Sequence, residues 1–288
     1  MNLFQSIVIA IIEGITEFLP IASTAHMKFA NPILGIADTP FVDLFEIVIQ
    51  FAAIASVLII YRKQFFNFRQ ISFYLKLIVA VIPALIFGAA LKKYIDAALN
   101  NLTTIAIVMV VGGIILLFID RLFKANETVA TEEKEQSYKT SFIIGCFQVL
   151  SILFPGLSRS AATIIGGMTQ KLPKKAAAEF SFFLAVPTML AASAKSSLDV
   201  YKSNPEVFAS DNLMTLLIGA IVAFIVALLS VQFFIKILQK QGFAVLAGTE
   251  LSWAPPYWFY YTIIGSNLAI FFVFLDTNEM LCKLPLKK

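Results

Sequence analysis

Hydrophobic residues run along this chain in blocks long enough to cross a lipid bilayer, and two of the blocks are broken in the middle. Unbroken apolar segments fall near residues 41–61, 71–91, 103–120, 176–194, 213–235 and 256–275. Each is near the ~20 residues that a spanning helix needs. Two more, about 2–29 and 140–170, break at Leu19-Pro20-Ile21-Ala22-Ser23 and at Phe154-Pro155-Gly156-Leu157-Ser158. Proline stops a helix, and a serine three residues on can cap the next one. Non-helical backbone at membrane depth is tolerated only where protein or a wet cavity covers it. Both segments are therefore expected to be re-entrant helix–loop–helix hairpins.

The two breaks are related by a shift of 135 residues, which lays Pro20 on Pro155, Ser23 on Ser158, Glu13 on Gln148 and Phe45 on Phe180. Each half then holds one hairpin and three spanning helices. Three is odd, so the halves lie upside down to one another. The expected fold is an all-α polytopic membrane protein, with six spanning helices plus two re-entrant helix hairpins in an inverted repeat. Its boundaries are 1–122 for the first repeat, 123–139 for a hydrophilic connecting loop and 140–288 for the second repeat. Broken helices at matching places in two halves point to a binding site at the midplane. Of the Lys and Arg outside the spans, twelve fall on the side of the connecting loop and eight on the other. That side is expected to be cytoplasmic, with the first hairpin opening outward.

Composition agrees with a membrane protein. The chain is 59% hydrophobic and 14% charged over 288 residues, where a soluble domain carries about 25% charged residues. Mean hydropathy is +0.85. The net charge of +4 is scattered, with no basic stripe of the kind nucleic acid requires, so membrane lipids and not nucleic acid are the expected surroundings. Cys146 and Cys282 form no metal motif and neither require nor exclude a disulfide. The N-terminus lacks a basic n-region and Glu13 interrupts its apolar run, so it is not read as a signal peptide.

The chemistry gathers at the breaks. In IIEGITEFLPIASTAH, Glu13 and Glu17 lie four residues apart, on one helix face, ahead of Ser23, Thr24 and His26, the only histidine. Ionisable groups at membrane depth are costly and functional by default. Two close carboxylates need a proton or a cation between them, and hard oxygen ligands suit Mg²⁺ or Ca²⁺. If a helix restarts at Ser23, its hydroxyl and the His26 imidazole share a face, as a nucleophile and its base would. The second break, FPGLSRSAAT, supplies Ser158, Arg159, Ser160 and Thr163. Arg159 is the only arginine in the second half, and guanidinium is well shaped to grip phosphate. The two breaks together read as a phosphate site with hydrolytic parts. Plainer readings stand beside this one. Glu13 could simply neutralise Arg159, His26 could be structural, and Ser23 and Ser158 could be caps alone. Asp43, Glu46 and Glu179 are read as serving helix ends, with Glu46 also a candidate for lining the site.

The stretches EGITEFLPIASTAH, VDLFEIVIQFAAIASVLIIYRK, FPGLSRSAATIIGGM and FSFFLAVP resemble the bacterial undecaprenyl-diphosphate phosphatase family, also known as the bacitracin-resistance proteins. The resemblance covers about residues 2–195. It implies hydrolysis of the polyprenyl diphosphate carrier lipid at the outer face of the bacterial cytoplasmic membrane, recycling it for peptidoglycan synthesis. It also implies a divalent cation. The family's acidic pair falls on Glu13 and Glu17, its motif serine and histidine on Ser23 and His26, and its serine-arginine pair on Ser158 and Arg159, with Thr163 following. The chain departs from the family at Ala22, where a second serine is usual, and at Ala25 and Ala161, where glycine is usual. The arginine often found in the last helix is not evident in FYYTIIG. Attack by Ser23 with His26 and attack by an activated water both remain open at this point. So does an inverted-repeat transporter or flippase of a polyprenyl phosphate or another anion, and so does the oligomeric state, a homodimer included.

Overall fold

A computed structural model of the chain describes residues 1–99, 101–124, 136–208 and 210–243, with 248 and 251. The expected sixth span, 256–275, and residues 125–135 of the expected connecting loop lie outside the described residues. Helices dominate, with no strand among the described residues. They run α1 (Leu3–Thr16), α2 (Ser23–Ile33), α3 (Pro40–Ile60), α4 (Arg62–Phe65), α5 (Ile71–Ala90) and α6 (Lys92–Leu99). Then follow α7 (Leu102–Leu122), α8 (Tyr138–Leu153), α9 (Arg159–Thr169), α10 (Lys174–Ser203) and α11 (Ser210–Gln241). Five of these, α3, α5, α7, α10 and the Asn212–Leu238 part of α11, are long and apolar enough to cross a membrane. They match the first five unbroken segments of the sequence to within a turn or two, apart from the longer C-terminal end of α10.

Local chemistry sets the helix starts. Asn2 forms a capping box with Gln5, Thr39 caps α3 ahead of Pro40 in the first turn, and Ser137 caps α8. The two broken segments are helix–break–helix pairs whose legs pack on each other. In the first, the Gln5 side chain donates to the Leu34 carbonyl at 2.9 Å, tying the start of α1 to the end of α2. This open end lies beside the start of α3, where Lys28 meets Asp43 at 3.5 Å. The open end of the second pair lies with the start of α5, where the Lys76 ammonium stands 5.9 Å from the centre of the Tyr138 ring. The short α4, which continues from the end of α3, meets the start of α5 through Phe65 and Phe73, whose rings are 5.6 Å apart. The two pairs therefore enter the bundle from opposite ends.

Aromatic and small residues close the bundle around the hairpin tips. Phe18 packs edge-on to Phe182 at 5.3 Å, and Phe182 in turn meets Phe234 at 5.8 Å. Gly14 lets α1 lie against Ala223 and Val226 of α11, and Gly145 lets α8 lie against the Ala80 backbone of α5. At the other end of the bundle Asp120 of α7 pairs with Lys174 of α10 at 2.8 Å and accepts the Phe243 backbone N–H at 2.7 Å. These contacts hold the long helices as a frame into which both breaks project.

Candidate active site at the meeting of the two breaks

The first break begins at Glu17, the C-cap of α1, and ends where α2 restarts. The expected serine cap is not formed here. Ala22 occupies the N-cap position, Ser23 is the first residue of α2, and no side chain caps the helix. The Ser23 hydroxyl instead donates to Glu17 Oε2 at 2.7 Å. At the second break the expectation holds. Phe154, ahead of Pro155, is extended (φ −121°, ψ 83°), as a residue before proline prefers. Ser158 then caps α9 by accepting the Ala161 N–H at 3.2 Å. Gly156 sits at φ +99°, and a Cβ there would run into the Ile105 backbone carbonyl. Only glycine suits that turn.

The tips meet through two bonds that span the chain. Arg159 Nη2 donates to Glu17 Oε1 at 2.6 Å, and the Ser160 hydroxyl donates to the Leu19 carbonyl, also at 2.6 Å. Glu17 is thus the hub, with one oxygen on a guanidinium and the other on a hydroxyl. The Arg159 side chain is only 15% exposed, and its Nη1 is buried without a hydrogen-bond partner. A buried N–H left unmatched is costly unless something occupies the space beside it. The Arg159 side chain also forms part of the wall of a cavity of about 530 Å³, together with Glu17, Ser23, Thr24, Ser158 and Ser160.

Glu13, one turn before Glu17, is fully buried behind this wall, and neither of its oxygens has a hydrogen-bond partner. Its carboxylate lies beside that of Glu17 and also feels the charges of Glu46 and Arg159. Two adjacent carboxylates in so dry a place need a proton or a cation. The pair fits a divalent ion by its donor chemistry, because hard oxygens with open lone pairs are what such ions bind. Among the described residues no cluster of three or more His, Cys, Asp and Glu could hold a metal. Two carboxylates completed by water and phosphate oxygens is the manner in which Mg²⁺ is usually bound.

The remaining expected residues divide. Thr24 faces the cavity and accepts from Gln50 Nε2 at 3.4 Å. Ser158 and Ser160 bond to each other at 3.0 Å on the wall. Thr163 turns away. Its hydroxyl bonds the Arg159 carbonyl at 2.9 Å and the Ser181 hydroxyl at 2.6 Å, locking α9 to α10. His26 is 7% exposed, its Nδ1 lies 2.8 Å from the Ala22 carbonyl, and it is not part of the cavity wall. The Ser23–His26 pair expected from spacing is not formed, because the break bends the Ser23 hydroxyl toward α1. Glu46 also stands off the wall, bonded to Asn31 at 2.7 Å and close to Lys28 at 3.6 Å.

Sequence reasoning passed over Gln50, Gln148 as a wall residue, Thr188 and Lys195, all of which line the cavity. Gln50 carried a signal, since it is a lone amide in the run VDLFEIVIQFAAIASV. Gln148 was noticed only as the repeat partner of Glu13, and its amide lies 3.3 Å from Thr188 Oγ1.

Comparison with known proteins identifies the family of the chain. The family described as "Bacitracin resistance protein BacA" matches residues 6–251. An undecaprenyl-diphosphatase of Porphyromonas gingivalis is 45% identical over 259 residues, covering 84% of this chain and 91% of that protein. One of Flavobacterium psychrophilum is 50% identical over 245 residues, covering 85% and 90%. One of Methanococcus aeolicus is 38% identical over 273 residues, covering 95% and 100%. The family match spans both breaks and every wall residue named above, and the chain belongs to the bacitracin resistance protein BacA family.

Proposed function

We propose that this chain is an integral-membrane phosphatase that hydrolyses undecaprenyl diphosphate to undecaprenyl phosphate and inorganic phosphate. The carrier lipid so released re-enters peptidoglycan synthesis, and bacitracin resistance goes with the family. The observation that carries the reading is the Arg159–Glu17–Ser23 chain, at 2.6 and 2.7 Å, on the wall of one cavity. A hydroxyl, a carboxylate acceptor and a guanidinium are what transfer of a phosphoryl group asks of a protein.

In the proposed mechanism the diphosphate lies against Arg159, whose Nη1 donors turn to the terminal phosphoryl oxygens. Ser23 Oγ attacks the terminal phosphorus and its proton passes to Glu17 Oε2. The Oγ–P bond forms as the bond from phosphorus to the bridging oxygen breaks, and undecaprenyl phosphate leaves. Water then attacks the same phosphorus, the P–Oγ bond breaks, and Ser23 recovers its proton as phosphate departs. Glu17 takes the part of base that spacing and the family resemblance gave to His26. Glu13 and Glu17 would hold a divalent cation, which when bound offsets phosphate charge.

The same proposal covers the architecture. The helix–break–helix pairs are re-entrant hairpins of an inverted repeat, 1–122 against 140–288, in the bacterial inner membrane with the cavity facing outward. Entry of the pairs from opposite ends of the bundle supports this reading, and so does the excess of Lys and Arg at the opposite end. The test is phosphate release from a polyprenyl diphosphate by purified protein, with and without chelator. The expected outcome is metal-dependent release that Glu17→Gln and Arg159→Ala abolish. Release that survives Ser23→Ala would replace the serine by water. No release from native protein that binds the substrate would favour a transporter, a use to which broken helices are also put.

A further inference from the structure

Four charged residues line the cavity: Glu17, Arg159, Lys195 and Asp199. Glu17 and Arg159 are consumed by each other. Lys195 has no ion pair among the described residues, and it does not close one with Asp199 one turn on. Its setting is unusual. Helix α10 is 30 residues long, about ten more than a bilayer needs. Counted from Lys174, a span of that length ends just short of Lys195, so the lysine stands where helix leaves lipid. It is exposed, yet it shares the cavity wall with Thr188, which lies two helical turns deeper and bonds Gln148. The rise between them is about 10 Å, a gap that an inward-turned lysine side chain and a bound diphosphate would bridge together.

A diphosphate carries more charge than the tip residues alone would match. A terminal phosphoryl group alone carries about −1.5 to −2 at neutral pH, and a diphosphate carries more. The Arg159–Glu17 pair is neutral as a unit and offers one guanidinium edge. A second cation on the same wall, unpaired and at the open end, would draw the headgroup in and hold the phosphate that is not attacked.

We infer that Lys195 is the entry-side binding residue for the diphosphate headgroup. It contacts the phosphate attached to the lipid while Arg159 holds the terminal one, and so makes the cavity selective for diphosphates over monophosphates. The identity of the lipid rests on the phosphatase reading above, whereas headgroup binding does not require turnover.

The test compares native protein with Lys195→Met, Lys195→Arg and Lys202→Met, the last on the same helix outside the wall. Binding of methylenediphosphonate, a diphosphate that is not hydrolysed, is measured by calorimetry on the full chain in detergent, beside steady-state kinetics with a polyprenyl diphosphate. In Lys195→Met, binding weakens about tenfold and KM rises by a similar factor, with kcat within twofold of native and a shallower dependence on salt. Lys195→Arg restores both, and Lys202→Met changes neither. Native-like binding and KM in Lys195→Met would overturn the inference and leave the phosphatase reading intact. A loss in kcat that Lys195→Arg does not rescue would also overturn it, in favour of a structural lysine. Weakened binding in a protein that never releases phosphate would uphold the site and remove the phosphatase.

Discussion

The two breaks use the same local device, a proline with a serine three residues on, and put it to different ends. At the second break Ser158 spends its hydroxyl on the Ala161 N–H, so α9 starts capped and Arg159 is presented from its first turn. At the first break α2 starts without a side-chain cap and Ser23 gives its hydroxyl to Glu17. An uncapped helix start costs about 1 kcal/mol, and here it leaves a hydroxyl free for chemistry. The polarity of the breaks differs as well, with carboxylates on one side and a guanidinium on the other. Neither is complete alone, since a buried charge requires its partner.

The sharpest way to break this comparison is to remove the hub. Glu17→Gln leaves a side chain of the same size that can no longer take a proton from Ser23, and phosphate release should fall by about 10²–10⁴-fold. A variant within tenfold of native would show that Glu17 only positions Arg159. Ser23→Ala should lose at least about a hundredfold in release, and although Ser23 caps nothing, the buried Glu17 oxygen left unmatched should lower stability by about 1–3 kcal/mol. Ser158→Ala should differ in activity, lowering stability by about 1 kcal/mol through the lost cap while leaving most of the release intact. Equal behaviour of the two serine variants in both assays would remove the distinction between the breaks. A further loss of stability is expected of Gly156→Val. Its backbone must hold φ +99° against the Ile105 carbonyl, at a cost of about 1–3 kcal/mol from the backbone alone, and both expression and activity should drop. Thr163→Val should have the smallest effect on turnover, a few-fold at most, because its hydroxyl serves the α9–α10 contact and not the cavity.

Much of the architecture was legible in the chain. The five described candidate spans were visible as apolar runs, and both breaks were visible as Pro-x-x-Ser within them. Arg159 and Glu17 were singled out because a charge in an apolar run requires a reason. Less legible was which groups would touch. Four-residue and three-residue spacings placed Ser23 with His26, yet the non-helical segment 17–22 turned the hydroxyl back to Glu17. Glu46 shared a helix with cavity-lining Gln50 and still faced Lys28 and Asn31. Lys195 read as one more lysine near a helix end until α10 was seen to line the cavity.

The sequence by itself determined where helix is demanded and where it fails. A bilayer acts on each residue separately, through the cost of exposing its backbone and side chain to hydrocarbon, and that cost is summed along a local window. Proline and glycine likewise act on their own backbone. Tertiary structure alone decided the partners. Glu17 and Arg159 are 142 residues apart in the chain, and their bond depends on two helix–break–helix pairs that enter the frame from opposite ends and meet at their breaks. Interactions of that kind are pairwise and fall off within a few ångströms, so nothing in the local run of residues announces them until the helices are packed.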